Sequence, residues 1–146
     1  MFPKVTLVLG GASSGKSAFA EALVLGAGKR ALYLATAQAL DAEMAERIAR
    51  HRARRAAAWR TAEVPLDVAG ALGRAAADEV VLLDCATLWL SNHMAHESDI
   101  DAEQAALIDA LERCAPNVVV VSNEVGQGGV PDNVLARAFA QAQGRL

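Results

Sequence analysis

The sequence predicts an α/β fold, a mostly parallel sheet flanked by helices on both faces, and three observations carry that expectation. Short runs at 5–9, 31–35, 79–84 and 117–122 are apolar at their centres, and all but 31–35 carry β-branched residues, the pattern of strands covered on both sides. Segments of helical length and composition separate them, and strands alternating with helices in this way build a parallel sheet. The third observation is Gly10-Gly11-Ala12-Ser13-Ser14-Gly15-Lys16-Ser17, directly behind the first run. It fits Gly, four residues, Gly-Lys-Ser/Thr, the phosphate-binding P-loop, in the strand-before and helix-after context that the motif requires. Small residues from Gly10 to Gly15 let the backbone curl so that successive N–H groups point inward, and the following helix adds its positive end. Lys16 then reaches the β- and γ-phosphates of a nucleotide, and Ser17 binds Mg2+.

Size and composition fit one domain over 1–146. With 146 residues, 53% hydrophobic and 21% charged, the chain can bury a full core. A formal charge of −3 is mild and gives no sign of a nucleic-acid or membrane-surface partner. No run approaches the ~18 apolar residues of a membrane-spanning helix, and the N-terminal run is too short for a signal-peptide core, so a cytoplasmic location is expected. Cys85 and Cys114 lack metal-ligand or redox spacing and read as buried small apolar residues.

Taken in order, 18–25 reads as a helix that Gly26-Ala27-Gly28 stops. The strand at 31–35 ends in Thr36-Ala37-Gln38, a polar end of the kind that contacts ligands in open α/β sheets, which makes Thr36 a nucleotide-site candidate. Asp41 can cap a helix running to about Arg55. Within it Leu40, Met44, Ile48 and His51 recur at spacings of four, four and three, which places His51 on the apolar stripe. Around it Arg47, Arg50, Arg52, Arg54, Arg55 and Arg60 form a dense positive cluster. Two readings stand side by side: a solvated basic face with a satisfied inner histidine, or a second phosphate site where histidine acts as base or nucleophile. Nucleic acid is disfavoured, because no aromatics interleave the arginines and the chain is acidic.

A short extended piece at 59–61 precedes a helix initiated at Pro65 and running to about 77. Trp59 and Trp89 read as core aromatics, with Trp59 also placed to line a pocket beside the arginines. The strand at 79–84 closes on Asp84, as the acidic element of P-loop enzymes does when it holds Mg2+ or its waters opposite Ser17; the alternative is a strand-end cap. Helices are expected at 87–94 and 102–114 with a polar loop at 96–101. His93, His96, Glu97 and Asp99 have metal-like spacing, but they read as an exposed helix end without an apolar surround, which favours a structural role. After the strand at 117–122, Asn123-Glu124-Val125-Gly126 faces the same crevice, where Glu124 orients a nucleophile or a metal-bound water, or caps a turn. A last helix is expected at 131–143.

Four stretches together resemble the bifunctional adenosylcobinamide kinase / adenosylcobinamide-phosphate guanylyltransferase family of cobalamin biosynthesis. They are 9–17, then 33–37, then 41–44 with 47–52 and 59–63, and finally 122–126 with Val130-Pro131. The resemblance implies a RecA-like P-loop domain, a trimeric homo-oligomer, and two activities. In one, ATP or GTP phosphorylates the aminopropanol hydroxyl of adenosylcobinamide. In the other, a histidine at the position of His51 takes GMP from GTP and passes it to adenosylcobinamide phosphate. It further implies Lys16 and Glu124 as catalytic groups beside His51, with Arg52 and Glu63 in the nucleotide site together with the P-loop, Thr36 and Asp84, and Mg2+ on Ser17 and Asp84. Ala56 stands where many relatives have proline. Relatives also continue past the helix corresponding to 131–146 into another strand, so the family's C-terminal strand is expected to be missing. The rival readings are a single-activity P-loop kinase for another small alcohol, and a non-catalytic nucleotide-binding switch.

Overall fold

Parallel strand pairing frames the molecule. The computed structural model describes residues 4–10, 15–38, 42–54 and 59–123, with the main chain alone at 51–54 and 123. Its elements are β1 (Val5–Gly10), α1 (Lys16–Gly26), β2 (Arg30–Ala35), α2 (Ala42–Arg54), β3 (Trp59–Glu63), α3 (Val68–Arg74), β4 (Glu79–Asp84), α4 (Ala86–Ala95), α5 (Ile100–Arg113) and β5 (Asn117–Asn123). The strands form one sheet in the order β1-β5-β4-β2-β3, and every pair is parallel.

Alternation along each strand sorts the core into two layers. Val80 and Leu82 of β4, Val119 and Val121 of β5, and Ala31 and Tyr33 of β2 face α1, which contributes Ala20 and Val24. Val81, Leu83, Val118, Val120, Leu32 and Leu34 face the other way, onto Val68 and Leu72 of α3, Trp89 and Leu90 of α4, and Leu107 and Leu111 of α5. Each fully buried leucine or valine side chain contributes roughly 1.5–3 kcal/mol relative to exposure. The continuous apolar runs of β4 and β5 follow from helices on both faces, as the sequence predicts. Both cysteines are buried among these residues.

Several boundaries differ from expectation. The piece at 59–61 is a full edge strand, β3, paired with β2 from Ala31↔Trp59 to Ala35↔Glu63. Its sequence, WRTAE, shows no apolar run because an edge strand is only half covered. The helix expected from Pro65 begins instead at Val68, because Asp67 supplies the cap: its side chain accepts from the Gly70 N–H at 3.0 Å. It ends at Arg74, well short of 77. In the same way Asp99 accepts from the Ala102 N–H at 3.2 Å, so α5 starts at Ile100 and the loop before it is shorter than predicted. The helix expected at 131–143 lies outside the described residues. No described helix is long and apolar enough to cross a membrane.

Candidate functional site

In a parallel sheet all strands end on one edge, so the topology gathers Gly10, Ala35, Glu63, Asp84 and Asn123 along a single rim. α1 springs from this rim. Gly15 precedes it with φ 79°, a left-handed conformation that glycine adopts without penalty, and its carbonyl accepts from the Phe19 N–H at 3.1 Å to close the first turn. Lys16 is 9% exposed at the start of the helix, so most of its stem is covered. One residue on, the Ser17 hydroxyl donates to Asp84 Oδ2 at 3.3 Å. The sequence-predicted pair on β4 and α1 is thus brought into contact.

Asp84 has a second partner. The Tyr33 hydroxyl donates to the same oxygen, Oδ2. Register explains it: Tyr33 lies opposite Leu82, so Asp84 is its diagonal neighbour on the same face, within reach of a long aromatic side chain. Trp59 packs edge-on to the Tyr33 ring at 5.6 Å, so it closes the end of the α1-side core. Ser17 hydroxyl and Asp84 carboxylate are hard oxygen donors, a set that suits Mg2+, which takes few protein ligands and leaves room for water and phosphate oxygens.

Thr36 is fully buried. Its hydroxyl donates to the Cys85 carbonyl and accepts from the Cys85 N–H, both at 2.9 Å, and its own N–H donates to the Asp84 carbonyl at 3.2 Å. The residue therefore locks the end of β2 to the turn after Asp84. Burial pushes the Cys85 thiol up to about 11, with the Asp84 charge adding to the shift and Lys16 opposing it. Asn92 of α4 extends the lock: its amide donates to the Thr36 carbonyl at 2.9 Å and the Pro65 carbonyl at 3.0 Å, joining the exits of β2 and β3.

His93 is not an exposed helix end. It is 4% exposed, sits edge-on to Trp89, and places Nδ1 at 2.8 Å from Ser98 Oγ and Nε2 at 3.0 Å from the Leu66 carbonyl. Burial between α4 and the loop before α3 gives it a structural place. Among the described residues no group of three or more His, Cys, Asp or Glu side chains is arranged to hold a metal.

Along α2, Met44 and Ile48 are half-buried and the remaining side chains from 42 to 50 are exposed, in agreement with the predicted apolar stripe. Arg47 lies 3.8 Å from Glu43, one helical turn away, and Arg50 is exposed. Arg60 departs from the predicted basic cluster. From β3 it bonds the carboxylate of Glu79, which is 2% exposed, at 3.0 to 3.2 Å. Glu63 is exposed at the end of β3, four strand spacings or about 19 Å across the rim from β1. The structure thus joins Lys16, Ser17, Thr36 and Asp84 and leaves Glu63 at the far edge. Gly11, Ala12, Ser13, Ser14, Leu40, Asp41, Arg55 and Glu124, and the side chains of His51, Arg52 and Arg54, lie outside the described residues. The contacts of Tyr33 and Asn92 are not expected from the sequence; the hint for Tyr33 was a polar group set inside the apolar run 31–35, and Asn92, between Ser91 and His93, gave none.

The family model described as cobinamide kinase / cobinamide phosphate guanyltransferase matches residues 6–146. The bifunctional adenosylcobalamin biosynthesis protein CobP of Pseudomonas aeruginosa is 46% identical over 143 residues, covering 96% of this chain and 83% of the relative. The corresponding proteins named CobU of Salmonella typhimurium and Escherichia coli are 45% and 43% identical, each over 96% of this chain and 86% of their own length. Among solved structures, the RadB recombinase superposes with a TM-score of 0.58 at 20% identity, over 92% of this chain and 70% of that one. That likeness speaks for the fold alone, a sheet flanked by helices.

Proposed function

The chain belongs to the cobinamide kinase / cobinamide phosphate guanyltransferase family, and we propose on that footing that it carries both transferase activities on its substrates adenosylcobinamide and adenosylcobinamide phosphate. The observation that carries the nucleotide half of this reading is the contact of Ser17 with Asp84 at 3.3 Å beside the covered stem of Lys16. In the kinase step the aminopropanol hydroxyl attacks the γ-phosphorus of ATP or GTP, and the nucleoside diphosphate leaves. Lys16 offsets charge on the transferred group, and the P-loop from Gly10 to Ser17 holds the rest of the triphosphate. Ser17 and Asp84 would hold Mg2+, which would supply neutralisation of phosphate charge when bound.

In the guanylyl step a neutral His51 nitrogen attacks the α-phosphorus of GTP. The bond to pyrophosphate breaks, pyrophosphate leaves, and GMP stays on the imidazole as a phosphoramidate. An oxygen of adenosylcobinamide phosphate then attacks the same phosphorus and releases His51, giving adenosylcobinamide-GDP. A covalent intermediate divides one difficult transfer between two anions into two easier ones. Support for His51 comes from its place on α2, whose apolar stripe is half-buried at Met44 and Ile48, and from the arginines around it, with Arg52 against the phosphates. Glu124 orients the attacking group, Thr36 holds the rim, and Glu63 contacts nucleotide at its far side.

GTP labelled at the α-phosphorus tests this reading against a plain kinase. We expect acid-labile label on the denatured wild type, none from GTP labelled at the γ-phosphorus, and none on His51→Ala. α-Label absent from the wild type would leave a single-activity kinase.

A further inference from the structure

We propose that Tyr33 is a positioning residue for the nucleotide's cation: its hydroxyl holds the Asp84 carboxylate by Oδ2 and so fixes the direction in which that carboxylate meets Ser17 and the metal. The inference rests on the reading of Ser17 and Asp84 as the Mg2+ pair. Tyr33 is the chain's single tyrosine and sits at the centre of the apolar run 31–35. It is 3% exposed, with its ring against Trp59. For packing alone a phenylalanine would serve, with no phenol to desolvate, whereas a buried phenol needs a partner. The partner here is Asp84.

The carboxylate torsion of an aspartate is broad and roughly two-fold, so an Asp at a strand end has no fixed plane of its own. Among the described residues both donors to Asp84, the Tyr33 hydroxyl and the Ser17 hydroxyl, fall on Oδ2. Two donors arriving from β2 and α1 define that plane and keep Oδ1 for the hydrated ion. With its proton directed to Asp84, the Ser17 oxygen turns its lone pairs outward, the orientation a metal ligand needs. Partners that hold a ligating carboxylate in this way are worth about 10–100-fold in metal affinity.

Tyr33→Phe keeps the ring against Trp59 and deletes only the donor. With Mg2+ titrated into protein and GTP, the concentration giving half of the Mg2+-dependent gain in GTP affinity should rise about tenfold in this variant, while GTP binding in EDTA stays as in the wild type. A hydrogen bond that merely stabilises the β2–β4 pairing would not move that quantity. The lone tyrosine gives a second readout that needs no variant of it. With tyrosine isotopically labelled at the phenol carbon, the single resonance of the GTP-bound wild type should shift on adding Mg2+, and should not shift in Asp84→Asn. Unchanged Mg2+ half-saturation in Tyr33→Phe, or a tyrosine resonance that ignores Mg2+ while the wild type's GTP affinity responds to it, overturns the proposal and leaves the Ser17–Asp84 pair standing. GTP affinity in the wild type that ignores Mg2+ overturns the pair itself, and the proposal with it.

Discussion

Glu79 enters β4 with its carboxylate almost wholly out of water, and Arg60 reaches it from the edge strand while the Ala76 N–H donates to it at 2.9 Å. Burial pushes the carboxyl up, but the Arg60 bonds, the Ala76 N–H and the guanidinium charges outweigh it and hold the group below the ordinary carboxylate range. A folded-state value below the unfolded one, about 4.3 for glutamate, stabilises the fold above that pH, and the stability is lost as pH falls through the folded value. Arg60→Ala should therefore cost about 1–2 kcal/mol at neutral pH, the modest figure reflecting the solvation of Arg60 itself. Urea midpoints should show the gap to the wild type narrowing below pH ~4 as the carboxylate protonates; a gap constant with pH would show that Arg60 acts by packing alone. Cys85, raised to about 11 by burial, and Cys114, also raised chiefly by burial, should resist iodoacetamide at mildly alkaline pH and react once the protein is unfolded in urea. Rapid labelling of the native protein would contradict their burial.

The placement of Lys16, Ser17 and Asp84 at one end of the sheet was legible in the sequence because its signals are local: a spacing rule behind a strand, and an acid at the end of another. Arg60 was not. It follows Arg50, Arg52, Arg54 and Arg55 in the sequence, which suggested a basic cluster, but its partner Glu79 belongs to another strand and meets it only through the sheet order. Tyr33 was hidden for the same reason, since its bond to Asp84 depends on the β2–β4 register.

At the scale of elements, competition among local signals decided the boundaries. Pro65 is a good first residue for a helix, but Asp67 offers a side-chain acceptor and takes the cap two residues later. Gly70 belongs to the same device: a Cβ there would lie 2.3 Å from Asp67 Oδ2. Asp67→Ala should cost about 1 kcal/mol. Gly70→Ala, which in an open helix position gains up to about 1 kcal/mol, should gain nothing in the wild type because it displaces the cap, and should recover that gain in the Asp67→Ala background. Chemical denaturation of the four proteins of this cycle decides it; additive effects would mean the two residues do not meet. β3 was the least legible strand. Its five residues carry two charges and no alternation of apolar side chains, so pairing with β2 rather than propensity makes it a strand.

Across the whole molecule, the parallel sheet covered on both faces could be read from strand–helix alternation, but its order could not. Placing β4 at the centre, with β1 and β3 at opposite edges, brings Asp84 to the P-loop side of the rim and carries Glu63 to the other. α2 connects β2 to β3 in this second half, whereas α1 starts from β1 at the opposite end of the strand order. The most direct measurement is the intact mass of the protein after incubation with GTP and Mg2+. The wild type should gain the mass of one GMP, and His51→Ala should gain none while still binding GTP through Lys16. A wild type of unchanged mass, or GMP retained on His51→Ala, would contradict a guanylylated histidine on α2.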